Sequence, residues 1–155
     1  MAVTIKLHKK KTLHLNCTPA EAFASLSDIP FFASNYPKVE QLIDRGDNCY
    51  RWEMETVGSG KIRLETVYCC KYVSNPDTLC IDWTPVVEDD TTSEISGGWV
   101  IEETDTGCVA HFSVEGTSVL PVPRLLKMGA EALAKLELDQ TINTCLANLK
   151  KSIDG

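Results

Sequence analysis

Histidine is scarce in this chain of 155 residues, and the few present (His8, His14 and His111) are scattered, which sets aside a histidine-based metal centre. No phosphate-cradling loop of the P-loop or Gly-x-Gly-x-x-Gly type is present, so nucleotide chemistry has no obvious seat. Positive charge is also short. Fifteen Lys and Arg face 22 Asp and Glu for a formal charge of −7, a balance that repels phosphate backbones and argues against nucleic acid as a partner. No apolar run approaches the ~18 residues of a membrane span, and Lys9, Lys10 and Lys11 follow the first residues with no hydrophobic stretch behind them. The expectation is a soluble, cytoplasmic chain without stable membrane insertion.

Seven cysteines are an odd number without any Cys-x-x-Cys spacing, which suits a reducing compartment better than a disulfide framework. The neighbours Cys69 and Cys70 sit in a strand-like stretch, where successive side chains point to opposite faces and their sulfurs diverge. The acidic run Glu88-Asp89-Asp90 lacks the ligand spacing of a calcium loop and reads as a solvated turn. No metal and no cofactor are expected.

What is present is a change of hydrophobic period along the chain. Val3 to Asn16 alternates with period two, and Lys9 and Lys11 on its apolar parity predict a sheet edge or a bulge. Thr18-Pro19-Ala20-Glu21 holds the parts of a capping box, so a helix carrying Ala22, Phe23 and Leu26 begins there. Asp28 caps a second short helix through Phe31, Phe32 and Ala33, closed by Pro37. Six strands then follow at Val39–Asp44, Cys49–Val57, Lys61–Val73, Leu79–Thr84, Ser93–Glu103 and Cys108–Leu120, separated by turn chemistry. After Pro121 and Pro123, Arg124 to Ile153 reads as one helix with an apolar stripe from Leu125 through Met128, Ala132, Leu136, Ile142, Leu146 and Leu149.

Treating Gly58-Ser59-Gly60 as a hairpin loop pairs Met54 with Leu64, Trp52 with Thr66 and Tyr50 with Tyr68 on one apolar face. The other face takes Arg51, Glu53, Glu55, Arg63, Glu65 and Lys71 and is read as wet. Extending the parity adds Leu79, Ile81, Trp83, Trp99 and Phe112 to the inner face. At ~1.5 Å per residue the final helix is roughly 40 Å long, enough to cover seven strands. Ordinary packing is the plain reading of these aromatics, and buried tyrosine hydroxyls are the most informative of them because each needs a partner. For catalysis, His111 and Glu115 share a strand face, but the parity assigns it to solvent; Arg51 with Glu53 and Arg63 with Glu65 read as surface pairs. Asp139, Gln140 and Asn143 interrupt the helix stripe and either face a ligand or mark where the helix overhangs the sheet.

The order strand, two short helices, six-stranded meander and long final helix resembles the helix-grip fold of the START-like (SRPBCC) superfamily, over essentially the whole chain. The stretches that carry the likeness are Cys17-Thr18-Pro19-Ala20-Glu21-Ala22-Phe23, Leu26-Ser27-Asp28, Asn35-Tyr36-Pro37, Ser96-Gly97-Gly98-Trp99 and the Val122-Pro123 lead-in to the last helix. The resemblance implies a single α+β domain over residues 1–155: a seven-stranded antiparallel sheet curled around a long C-terminal helix, with a cavity between them for a lipid, polyketide, isoprenoid or similar hydrophobic small molecule. The candidate ligand-binding residues are Tyr50, Trp52, Met54, Leu64, Thr66, Tyr68, Ile81, Trp83, Trp99, Phe112, Leu136 and Asn143. A binding protein is the leading expectation. A polyketide cyclase or dehydratase is the alternative from the enzyme class, and a protein-interaction module similar to chaperone co-factors is a third; the oligomeric state, monomer or homodimer, is open.

Overall fold

The computed structural model describes residues 2–155 and has the expected α+β helix-grip architecture. Strand β1 (Val3–Leu15) is followed by helices α1 (Pro19–Leu26) and α2 (Ile29–Asn35), strands β2 (Val39–Gly46) to β9 (Gly107–Leu120), a 3-10 turn (Arg124–Leu126) and helix α3 (Lys127–Asp154). Between β2 and β9 lie β3 (Cys49–Met54), β4 (Val57–Ser59), β5 (Ile62–Leu64), β6 (Val67–Asn75), β7 (Cys80–Val86) and β8 (Ser93–Thr104). Seven strands form one antiparallel sheet in the order β1-β9-β8-β7-β6-β3-β2, and β4 and β5 make a separate two-stranded hairpin.

The local signals act where the chain carries them. Thr18 and Glu21 exchange the two hydrogen bonds of a capping box at the start of α1, and Asp28 caps α2 by accepting from the Phe31 amide at 3.2 Å. Asn35 fastens α2 to α3: its side-chain oxygen accepts from Ser152 Oγ at 2.6 Å and its backbone carbonyl from Asn148 at 3.0 Å. Strand β1 does lie at the sheet edge, but it has no bulge; it stays in register with β9 from Val3↔Leu120 to Leu15↔Cys108. Its Lys9 is accommodated by an ion pair with Asp139 of α3, so the helix overhangs the sheet edge there.

Three sequence expectations need correction. The stretch 49–73 is two strands with a hairpin inserted, because the chain leaves the main sheet at Glu55 and rejoins it at Val67. The main register is therefore shifted by two residues: Trp52 pairs with Tyr68 and Tyr50 with Cys70, while Leu64 pairs with Val57 in the hairpin. A shift of two preserves the side-chain parity, so the inner face keeps its composition. Leu79 belongs to a turn, with a left-handed backbone (φ 55°), and β7 begins at Cys80. Arg51 is a buried residue of the outer face, exposed by only 6%, because the acidic loop after β7 folds over it.

Helix α3 is gripped at its margins, with its closest backbone approaches to β1, to β5 and to α2. The apolar side chains accordingly form two clusters. The larger joins Trp52, Tyr72, Ile81, Trp83, Trp99, Phe112 and Phe32 with Ile142, Cys145 and Leu149 of the second half of α3. The smaller joins Val3, Ile5, Leu64, Leu120, Val122 and Ala130 at the beginning of α3.

Candidate functional site

A cavity of about 160 Å³ lies where these two clusters fail to meet. Its deep wall is aromatic, made by Phe32, Trp52, Tyr68, Tyr72, Trp83 and Phe112, and its roof is Ala134, Leu138 and Thr141 of α3. The two exposed residues of the lining, Lys38 and Glu55, mark where it reaches solvent. Lys38 is placed there by a left-handed backbone (φ 63°), and its ammonium group pairs with Glu137 of α3 at 2.8 Å across the opening.

The aromatic wall is built by strand parity. Trp52 and Tyr68 are direct cross-strand partners, and their rings stack with centroids 5.8 Å apart and planes 9° from parallel. Tyr36, which follows α2, approaches the other side of the wall, its ring edge-on to Trp52 at 5.5 Å and to Phe32 at 5.8 Å. Trp83 lies against β8 at the one residue with room for it: a Cβ on Gly97 would stand 3.0 Å from the indole and 2.2 Å from the Ser113 carbonyl.

Polar atoms in this wall fall into two groups. Trp52 donates its indole N–H to the Tyr72 hydroxyl at 2.9 Å, a buried pair that accounts for both. Tyr36 and Tyr68 differ: both line the cavity, and among the described residues neither hydroxyl has a hydrogen-bond partner. Burial pushes both phenols well up from their ordinary value, reinforced by Cys145 for Tyr36 and by Tyr36 itself for Tyr68. They are therefore neutral O–H donors at any physiological pH. The Cys145 thiol beneath them is pushed up to about 12 by burial and stays protonated. The Nε1 of Trp99 is buried without a partner and faces packed side chains rather than the lining.

Of the residues singled out from sequence, Trp52, Met54, Leu64, Thr66, Tyr68, Trp83 and Phe112 line the cavity. Ile81 and Trp99 lie behind them in solid core, Trp99 with its ring 4.9 Å from Phe112. Tyr50 sits outside the lining, edge-on to Tyr72 at 5.9 Å. Leu136 and Asn143 are corrected: both are exposed on the outer side of α3. The inward stripe runs through Ala130, Ala134, Leu138, Thr141 and Cys145, and residues two away from 138, 141 or 145 project from the opposite side of a 3.6-residue helix. Sequence reasoning missed Phe32 and Tyr72 of the wall, Leu138 and Thr141 of the roof, and Tyr36 and Lys38, which lie between α2 and β2. The available signal for Tyr36 was the Asn35-Tyr36-Pro37 tract, an aromatic just past a helix end.

On the outer face of the same strands, the Arg51 guanidinium meets Glu53 at 2.7 Å, Glu88 at 2.8 Å and Asp90 at 2.7 Å, with Arg45 adding a 3.2 Å contact to Glu88. Arg51 holds the Glu88 and Asp90 carboxyls below their usual range through these hydrogen bonds. Cys69 lies under this cluster, and burial pushes its thiol up to about 11. All seven cysteines are free thiols, and no cluster of His, Cys, Asp and Glu among the described residues could hold a metal ion. No described helix is long and apolar enough to cross a membrane.

No protein-family model and no curated protein matches the chain. Solved structures do share its fold. A protein of Thermus thermophilus is 12% identical with a TM-score of 0.64, each chain covered to 96%. The di-domain aromatase/cyclase StfQ of the steffimycin biosynthetic pathway is 15% identical with a TM-score of 0.61, covering 96% of this chain and 50% of that one. The Zhui aromatase/cyclase from a Streptomyces species is 12% identical with a TM-score of 0.57, over 96% of this chain and 95% of that one. Identities this low establish a common helix-grip architecture.

Proposed function

We propose that this protein binds a hydrophobic small molecule in the cavity between its sheet and helix α3. The observation that carries the reading is a hollow of about 160 Å³ lined by seven aromatic residues and left open beside Lys38. An apolar hollow lined by a few convergent polar groups is the usual form of a small-molecule site. The test is organic extraction of the purified protein with mass spectrometry, followed by thermal shift against lipid, isoprenoid and aromatic panels. A ligand present at a hundred times its Kd stabilises the fold by about 2.7 kcal/mol. Ala134→Phe, which places a ring in the hollow, is expected to abolish that shift; an undiminished shift in this variant sinks the assignment of the site.

A cyclase or dehydratase is the second reading, favoured by the architecture shared with StfQ and Zhui and by two unpartnered tyrosine donors in the wall. Such chemistry needs a proton acceptor as well as a donor. The ionisable carboxylates of the lining, Glu55 and Glu137, stand at its opening, where Glu137 is committed to Lys38. The binding role fits this distribution better. The protein-interaction reading would rest on Leu125 and Met128, almost fully exposed at the start of α3, and the structure gives no indication of what would cover them.

A further inference from the structure

The size of the hollow and the chemistry of its wall together narrow the guest. About 160 Å³ is close to the ~150 Å³ of an engineered apolar cavity that takes benzene, and well below the ~300–1,000 Å³ of typical drug-sized pockets. An extended acyl chain or a fused polycycle exceeds this volume. Flat walls set the shape: the stacked Trp52 and Tyr68 rings and the tilted Trp83 and Phe112 rings, 5.9 Å apart, favour a planar guest.

Polarity sets the rest. The wall holds two phenols with no protein acceptor, Tyr36 and Tyr68, both within ring contact of Trp52. Both hydroxyls open onto the hollow, where an acceptor on the guest would gain a hydrogen bond worth about 0.5–1.5 kcal/mol. No cation faces the aromatic end, since Lys38 is held by Glu137 at the opening, so an anionic guest would lose its hydration without compensation. Resting on the binding role given above, we propose that the guest is a compact, uncharged ring compound bearing a ketone-type carbonyl, whose oxygen accepts hydrogen bonds from the Tyr36 and Tyr68 hydroxyls.

The experiment uses three probes of nearly equal size on the full chain: acetophenone, ethylbenzene, which lacks the oxygen, and benzoate, which carries a charge. Binding is read by calorimetry and by tryptophan emission, in wild type, Tyr36→Phe and Tyr68→Phe. Acetophenone should bind about 10-fold more tightly than ethylbenzene, the ratio set by one unsatisfied donor pair, and benzoate should not bind. Each phenylalanine variant should reduce acetophenone affinity by about 5-fold or more while leaving ethylbenzene affinity unchanged, which also shows that the variant is folded. Equal affinities for acetophenone and ethylbenzene in wild type would overturn the carbonyl assignment while leaving the cavity a binding site. Preference for methyl laurate over both rings would overturn the compact-ring assignment in the same limited sense. Silence towards acetophenone, ethylbenzene and methyl laurate alike would remove the binding role itself.

Discussion

The two faces of strand β3 treat buried polarity in opposite ways. On the outer face Arg51 is ringed by Glu53, Glu88 and Asp90, with hydrogen bonds from Nε and both terminal nitrogens. One residue further along, Trp52 leads into an aromatic wall where the Tyr36 and Tyr68 hydroxyls are left without partners. Hydroxyls that open onto a hollow and bond to nothing in the chain contribute nothing to holding the fold together. The outer cluster is thus explained by the fold it fastens, whereas the inner pair is assigned, under the binding role proposed above, to a guest.

The sharpest way to test that contrast is Arg51→Met, expected to cost about 2–3 kcal/mol in chemical denaturation. This is less than the ~3–5 kcal/mol of a fully buried pair, because the three carboxylates it abandons can regain water. The same variant should flatten the acid limb of stability. Glu88 and Asp90 have lowered folded-state values, so their contribution is fully present above the ordinary carboxylate range and is lost as pH falls through the lowered values. The wild-type melting temperature should therefore drop below about pH 4 more steeply than that of Arg51→Met. On the inner face, Tyr72→Phe removes the acceptor of the Trp52 indole and should cost about 1–2 kcal/mol. Smallest of all, Tyr36→Phe and Tyr68→Phe should change stability by no more than about 0.5 kcal/mol, with a slight gain favoured, since each deletes a polar atom that bonds to nothing. A loss of 1 kcal/mol or more in both would show that these hydroxyls serve the fold, and the contrast between the faces would disappear.

Side-chain parity was legible in the sequence because it survives a register error of two. Trp52, Met54, Tyr68, Trp83 and Phe112 reach the inner side even though Trp52 pairs with Tyr68 instead of Thr66. The helix N-caps were legible for a similar reason: Thr18 with Glu21 and Asp28 with Phe31 are three residues apart, so no tertiary information is needed. The insertion of β4 and β5 was not, since Glu55-Thr56 and Glu65-Thr66 carry no glycine or proline to mark the departure from the main sheet. The burial of Arg51 depends on contacts 37 and 39 residues away in sequence, which no local pattern encodes. Leu136 was misplaced because the stripe of α3 is diluted by Ala130, Ala134 and Thr141, small residues that leave room above the cavity and weaken the helical period. The feature that makes the site also blurred its signature.

The hairpin of β4 and β5 is a sheet of its own, set against α3 by Ile62 and Leu64 on one side and Ala130, Leu133 and Ala134 on the other. It forms one flank of the hollow through Val57 and Leu64, yet it is outside the ladder that stiffens the seven other strands. Its ends are tied to the main sheet, with the Met54 amide donating to the Thr66 carbonyl and the Thr92 hydroxyl to the Glu65 carbonyl, while between them its contacts with α3 are apolar. The hollow is thus bounded partly by a hydrogen-bonded frame and partly by a panel that meets α3 through apolar side chains.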